Sequence, residues 1–354
     1  MDSDIHHTDV AIIGAGPVGL FAVFELGMLG IDCHVVDALD APGGQCTALY
    51  PEKPIYDIPG YPEIMAHDLV GKLLEQIKPF APVYHLGQQV TGLETVDGGD
   101  WLLTTSMGTR IEARAVILAA GVGAFGPNRP PLDGIDAFER QPPGTGVHYF
   151  VTRREDFRDR RVVIAGGGDS AVDWALALAE TAASVAVVHR RDRFRAAPES
   201  VRRLRELADS GRIEMVVPFQ LHSLEGEGGR LDGVIVSDLD GNQRRLAADA
   251  LLPFFGLHQD LGPIADWGLN LHRHHIVVEP STCAAGLSGI FAIGDVAEYP
   301  GKLKLILTGF SEAAMAAHAI FTLVRPGEAL HFEYSTTKGV PGGVLGGAKT
   351  PTAT

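Results

Sequence analysis

A short apolar run rich in β-branched residues, Asp9-Val10-Ala11-Ile12-Ile13, leads straight into Gly14-Ala15-Gly16-Pro17-Val18-Gly19. A buried parallel strand that ends in GxGxxG leaves the chain few options, because each glycine meets a separate steric demand. The first permits the turn, the second lets a pyrophosphate reach the backbone, and the third lets helix and strand pack closely. The helix is expected over about residues 20–30, with its free N–H groups and partial positive charge facing the anion. A second strand, Cys33-His34-Val35-Val36, ends at Asp37, where a carboxylate accepts both ribose hydroxyls. This is one βαβ unit built for a dinucleotide.

The same grammar recurs. Arg161-Val162-Val163-Ile164-Ala165 feeds Gly166-Gly167-Gly168-Asp169-Ser170-Ala171, then a helix over about 172–180, then the strand Val185-Ala186-Val187-Val188. Gly166, Gly168 and Ala171 take the three glycine roles of the second turn. The strand ends differently from the first: His189-Arg190-Arg191-Asp192-Arg193-Phe194-Arg195 stands where Asp37 closes the first unit. A carboxylate there would repel a 2′-phosphate, whereas Arg190, Arg191 and Arg195 pair with it through charge-assisted hydrogen bonds. NADP is therefore expected over NAD in the second unit.

Two dinucleotide folds on one chain imply two nucleotides held at once. Gly126-Pro127-Asn128-Arg129-Pro130-Pro131 and Pro253-Phe254-Phe255-Gly256 read as linkers. The expected architecture is α/β, with two Rossmann-like three-layer domains. A discontinuous first domain covers 8–126 and 255–337, the second domain, 127–254, is inserted into it, and 338–354 is a Gly, Pro and Thr rich tail expected to be disordered.

Composition narrows the function. With 29 basic and 44 acidic side chains the chain carries a net −15, which argues against a general nucleic-acid binder. Between Arg153 and Arg205, twelve arginines face eight acids, a local net of +4 that could steer an acidic partner. No run of 18 uninterrupted apolar residues exists and Met1–Thr8 has no apolar signal core, so no membrane span and a cytoplasmic location are expected. Cys33, Cys46 and Cys283 form no CxxC, zinc spacing or disulfide framework. The 14 histidines recur with no carboxylate or cysteine ligand at suitable spacing, so no metal is expected. No Ser/His/Asp arrangement or GxSxG is visible.

Gly289-Ile290-Phe291-Ala292-Ile293-Gly294-Asp295 resembles the second fingerprint of FAD-binding two-dinucleotide-fold flavoproteins, in which the aspartate holds the ribityl chain. The resemblance makes FAD, not NAD, the first dinucleotide. Together with Gly166–Ala171, His189-Arg190-Arg191 and Phe194-Arg195, the segment also resembles bacterial thioredoxin reductase over roughly residues 8–320. That family carries a redox CxxC about a dozen residues before its second glycine turn. The matching stretch here, Tyr149-Phe150-Val151-Thr152, has no cysteine, so the dithiol relay is missing.

Tyr50–Asp57, Lys304–Phe310 and Phe332–Thr336 resemble a sister family, the thioredoxin-reductase-like ferredoxin/flavodoxin–NADP reductases of bacteria. That resemblance implies FAD contacts at Asp37, Gln45, Tyr50, Val90, Phe125, Asp295 and Thr336, with Tyr50 and Tyr334 as the rings on the flavin faces. It implies a homodimer passing electrons between NADPH and ferredoxin or flavodoxin, the activity of EC 1.18.1.2. Hydride moves from nicotinamide C4 to flavin N5 and electrons then leave singly, the organic chemistry belonging to the cofactors. A helix starting near Thr308-Gly309-Phe310 is expected to aim its positive end at the flavin pyrimidine. Two rivals stand beside this reading: a reductase of another disulfide or small-molecule acceptor, and a non-enzymatic flavin/NADPH redox sensor.

Overall fold

The computed structural model of the chain describes residues 5–96 and 98–328. It divides into two compact units. The first comprises the chain up to Ala48, Pro54–Ala124 and the chain from Gln259 onward; the second comprises Leu49–Lys53 and Phe125–His258. The excursion Leu49–Lys53, which carries Tyr50, thus groups with the second unit.

The first unit is built on a seven-stranded sheet in the order Val83–His85, Cys33–Val36, Ile5–Ile13, Arg110–Leu118, Trp101–Thr105, Val90–Thr95, with Ile290–Ala292 also paired to Arg110–Leu118. Trp101–Thr105 runs antiparallel to both neighbours, and the other pairings are parallel. Val10 lies opposite Cys33 on one side and Ala115 on the other. Alternation sends Ala11 and Ile13 into one apolar cluster with Val116, Leu118 and Leu103, while Val10 and Ile12 are buried on the opposite face. The Pro17–Met28 helix packs against both Ala66–Ile77 and Ile306–Val324.

The first helix begins at Pro17, earlier than the expected start near residue 20. Gly16 is extended (φ −67°, ψ 176°), and Pro17 at the first helical position has a preset φ and no N–H to leave unpaired. It ends at Met28, short of the expected residue 30: Gly30 is left-handed (φ 69°), its N–H bonds to Gly27 O and that of Ile31 to Leu26 O, a Schellman stop. The strand that precedes the first linker spans Arg110–Leu118.

The second unit carries a five-stranded parallel sheet, Gly146–Val147, Ala250–Pro253, Arg161–Ala165, Ser184–Val188, Ile213–Val216. Val162, Ile164, Val185 and Val187 enter the cluster that holds Trp174 and Leu178 of the Asp169–Leu178 helix and Leu204 of Pro198–Asp209. Val163, Ala165, Ala186 and Val188 enter the other, beneath the antiparallel strands Gln220–Glu227, Arg230–Ser237 and Gln243–Ala247. Helices, parallel sheet and antiparallel sheet make three layers.

The Ile306–Val324 helix, 19 residues with mean hydropathy 1.3, passes a length-and-composition test for a membrane span although the sequence has no unbroken apolar run of that size. It is a core element of the first unit, burying Gly309, Ala313, Ala316, Ala317, Ile320 and the charged Glu312.

Candidate functional site

The first glycine turn shows three different steric solutions. A Cβ on Gly14, whose φ is +113°, would collide with the carbonyl of Ala119, and one on Gly19 would collide with the carbonyl of Gly14. A Cβ on Gly16 would meet nothing within 4 Å. Gly14 and Gly19 therefore close the turn against protein, while Gly16 faces open space at the mouth of the Pro17–Met28 helix, the place a pyrophosphate needs. Asp37 lies beside it. Its Oδ2 accepts the N–H of Ala15 at 2.6 Å and its Oδ1 that of Leu39 at 2.8 Å, and each oxygen keeps a lone pair for a ribose hydroxyl. Burial pushes the Asp37 carboxyl up from its ordinary value, and the two N–H bonds oppose that rise.

Three strand ends meet here. Ala119 N–H bonds to Ile13 O at 2.8 Å and Ile293 N–H to Leu118 O at 3.0 Å, so Gly14, the 119–121 bend and Asp295 gather at the carboxyl ends of their strands. A Cβ on Gly294 would come within 3.5 Å of Val18, and one on Gly309 would strike the same side chain. The Asp295 turn and the start of the Ile306–Val324 helix thereby converge on the first helix. Gln45 opens the short helix Gln45–Ala48, its Nε2 3.6 Å from the Cβ position of Gly121. Gln88 N–H bonds to Asp37 O at 3.0 Å, which brings the start of Val90–Thr95 close, although the Val90 side chain, 4% exposed, is a core residue and only its backbone is available to a ligand.

Gly14, Gly16, Gly19, Asp37, Gln45 and Asp295 are thus brought together in the first unit. Tyr50 belongs to the second unit. It packs on the core of the second unit, with Lys53 5.7 Å from its ring centroid; Lys53 pairs with Asp173 at 3.2 Å, and Glu52 accepts the N–H of Arg154 at 2.7 Å. Phe125 lies in the strand Ala124–Pro127. Tyr334 and Thr336 fall outside the described residues. Sequence reasoning passed over Gly43 and Gly44: Gly43 N–H bonds to Ala15 O at 2.8 Å, and a Cβ on Gly44 would stand 3.1 Å from Gly16 Cα. The visible signal was the Gly-Gly pair just before Gln45.

The second turn repeats the pattern. A Cβ on Gly166 would stand 2.7 Å from Phe254 O and 2.9 Å from Ala171 Cβ, while one on Gly168 would meet nothing within 4 Å. The Asp169–Leu178 helix starts at Asp169, three residues before the expected 172, because Gly168 is extended and serves as its N-cap. Arg195 N–H donates to Gly167 O at 2.7 Å, tying the arginine loop to the glycine turn. The His189 ring lies against Gly167, and its basicity is lowered by burial first, with Arg190, Arg195 and Arg191 adding to that effect. Arg190, Arg191, Arg193 and Arg195 are exposed and in no ion pair among the described residues, whereas Arg158, Arg161 and Arg202 are neutralised by Glu155, Asp249 and Glu199.

A cleft of about 600 Å³ lined by Thr8, Asp9, Asp32, Glu112 and Arg325 sits at the opposite, amino ends of the first unit's strands. No predicted site residue lines it, and dinucleotides bind at the carboxyl ends. Among the described residues no cluster of three His, Cys, Asp or Glu side chains could hold a metal. All three cysteines are buried and none is in a disulfide, and burial pushes the Cys33 and Cys283 thiols up to about 12.

The strand leading to Asp37 contains a pH-sensitive element. His34 Nδ1 and His85 Nε2 are 3.1 Å apart, and the His85 carbonyl accepts the N–H of Asp37. Burial, then His85 and His6, lower the His34 pKa to about 4, and burial also lowers His85. The unfolded chain takes up a proton near pH 6.5 that folded His34 refuses until about 4. Stability therefore falls as pH drops through that window. Urea midpoints at pH 7 and 4.5 should differ less in H34F than in wild type; parallel losses would show that other groups dominate.

Two nucleotide cradles of this kind, one closed by a carboxylate and the other by arginines, define the class of flavoproteins with two dinucleotide folds. The model of the family described as pyridine nucleotide-disulphide oxidoreductase matches residues 8–319. A ferredoxin–NADP reductase of Paramagnetospirillum magneticum is 63% identical over 338 residues, 96% of this chain and 99% of that one. One of Granulibacter bethesdensis is 64% identical over 337 residues, 95% of each. Among solved structures, Lactococcus lactis thioredoxin reductase superposes with a TM-score of 0.76 at 25% identity, covering 90% of this chain and 99% of that one. The T. acidophilum thioredoxin reductase, at 22% identity and a TM-score of 0.77, covers 90% and 98% and shares the fold. The chain belongs to the pyridine nucleotide-disulphide oxidoreductase family and, within it, to the ferredoxin–NADP reductases.

Proposed function

We propose that this chain transfers electrons between NADPH and ferredoxin with FAD as the intermediary. The observation that carries the reading is the contrast between the two cradles: Asp37 beside the open Gly16, and, beside the open Gly168, four arginines in no ion pair among the described residues. FAD supplies the hydride acceptor and the one-electron donor when it is bound. The chain's own residues bind and orient. Gly16 and the Pro17–Met28 helix face a pyrophosphate, Asp37 a ribose and Asp295 the ribityl chain. Gly168 and the arginine loop do the same for NADPH. The Ile306–Val324 helix begins at Ile306, two residues ahead of the expected Thr308, with no side-chain cap on its first N–H groups, so its positive end is free to stabilise negative charge.

Hydride transfer asks for no general acid or base. The half-buried His148 is spent on the carbonyl of Thr145 at 2.6 Å. A thiol relay is disfavoured by three separate, buried cysteines. Arg153, Arg154, Arg160, Arg203 and Arg205, in no ion pair among the described residues and outside the arginine loop, offer positive charge for an acidic carrier, and flavodoxin fits that description as well as ferredoxin. The proposal includes a homodimer in the cytoplasm, which sedimentation and fractionation address.

The test compares acceptors. Purified ferredoxin or flavodoxin should support sustained NADPH oxidation and thioredoxin should not. Disulfide reduction that depends on two of the three cysteines would overturn the reading, and so would a flavin that is reduced once and then stalls with every protein acceptor.

A further inference from the structure

A fully buried ion pair lies behind the Asp295 turn. Lys302 and Glu312 form a salt bridge with side chains 1% and 0% exposed. Glu312, in the second turn of the Ile306–Val324 helix, takes three donors. Its Oε1 accepts from Lys302 Nζ and from the Tyr299 hydroxyl at 2.6 Å, and its Oε2 accepts the N–H of Gly294 at 2.7 Å. Every donor comes from a different piece of the site: the turn Gly294–Val296, and the two ends of the 299–302 loop that leads into the helix.

Buried ion pairs rarely stabilise a fold more than well-packed apolar side chains of equal volume would, so stability alone is a weak reason for one here. Geometry offers a stronger reason. Gly294 has φ +75°, a conformation few other residues adopt, and its neighbour carries the carboxylate assigned to the ribityl chain. The Ile293 N–H is already fixed on Leu118 O, so the Glu312 bond to Gly294 sets the next peptide plane and with it the direction of Asp295. Lys302 and Tyr299 in turn hold the Glu312 carboxylate and anchor the loop before the helix. Burial, followed by the Glu312 hydrogen bond and charge, raises the Tyr299 hydroxyl well above its ordinary value, which keeps it a donor.

We infer that Glu312, held by Lys302 and Tyr299, is a positioning residue for FAD that fixes the Asp295 turn relative to the start of the Ile306–Val324 helix. The inference rests on the reading of Asp295 as a flavin ligand and adds to it a fully buried residue that acts through the Asp295 turn.

The test follows FAD release on dilution of the holoenzyme by flavin fluorescence, with the flavin visible spectrum, thermal midpoint and NADP⁺ affinity measured alongside. E312Q should weaken FAD retention on the order of 10-fold, as expected for a lost charge-assisted bond, and shift the spectrum while leaving NADP⁺ affinity unchanged. K302M/E312L separates positioning from stability. It removes both buried charges but leaves the Gly294 N–H and the Tyr299 hydroxyl without an acceptor, so its thermal midpoint should exceed that of E312Q, which strands the Lys302 charge, while FAD retention stays about 10-fold weaker. Recovery of FAD retention together with the midpoint would show a purely structural pair and overturn the inference; this variant decides alone if E312Q does not fold. D295N checks the reading beneath. Unchanged FAD retention in D295N would sink both, whereas weak retention in D295N with normal retention in K302M/E312L would sink the inference alone.

Discussion

Placing valine at Gly16 is expected to yield a folded chain that has lost FAD. The backbone there is extended (φ −67°, ψ 176°), a conformation β-branched residues adopt freely, and beyond its chain neighbours nothing lies within 4 Å of the new Cβ. The side chain would fill only the space that a pyrophosphate needs. Two charge-assisted bonds from the helix start, each contributing roughly 1.5–3 kcal/mol, would be lost, so affinity should fall on the order of a hundredfold to ten-thousandfold. Valine at Gly14 or Gly19 makes a different experiment, since each would collide with backbone and damage the fold itself. G168V should be the mirror image, keeping FAD and losing NADP⁺. Flavin content after purification and far-UV circular dichroism check the pair. A G16V protein that is isolated fully yellow would place the pyrophosphate elsewhere.

Much of this was legible because the constraints are local. Gly14, Gly16 and Gly19 must follow a strand and open a helix, and they do; Asp37 must end the next strand, and its carboxylate lies against the Ala15 N–H. The repeat of that pattern at Gly166 marks a second strand–turn–helix–strand run, and Arg161–Ala165, Asp169–Leu178 and Ser184–Val188 form it. What sequence could not show depends on contacts between distant segments. Nothing in Leu49–Lys53 announces that Lys53 will pair with Asp173, more than a hundred residues away, and carry Tyr50 onto the core of the second unit. Likewise, Glu312 looks like a solvent-facing charge in an otherwise apolar helix until Lys302 and Gly294 are found around it. Helix starts were misplaced by two or three residues for a simpler reason. An apolar pattern marks where a helix is buried, while Pro17 and the extended Gly168 decide where it begins.

The structure also changes how the basic stretch should be read. Its net of +4 mixes two populations. Arg158, Arg161 and Arg202 are neutralised by partners within the unit, so they contribute little to steering. The Arg190–Arg195 loop sets four arginines against Asp192 with no ion pair among the described residues, and its backbone is tied to the glycine turn through Arg195 N–H. Arg153, Arg154, Arg160, Arg203 and Arg205 are likewise in no ion pair among the described residues, so the Arg190–Arg195 loop holds four of the nine unpaired arginines of the stretch.

Replacing Arg190 and Arg191 together with alanine should consequently remove most of the coenzyme preference. Both follow the strand Ser184–Val188, at the edge where an adenosine ribose belongs, and NADP differs from NAD there by one phosphate with up to two negative charges. Each charge-assisted hydrogen bond should contribute roughly 1.5–3 kcal/mol, so the pair supplies roughly 3–6 kcal/mol. That corresponds to a preference on the order of a hundredfold to ten-thousandfold for NADPH over NADH. The double variant should raise the KM for NADPH by a comparable factor, leave NADH use nearly untouched, and keep its FAD, since Gly16 and Asp37 lie in the other unit. Because both arginines are exposed, the wild-type preference should shrink as salt rises and the screening length drops below about 10 Å. Steady-state kinetics with both coenzymes at low and high salt measure all of this. A double variant that still prefers NADPH, or a wild type that uses NADH equally well, would leave these arginines as a solvated turn and remove the basis for assigning NADP to the second cradle.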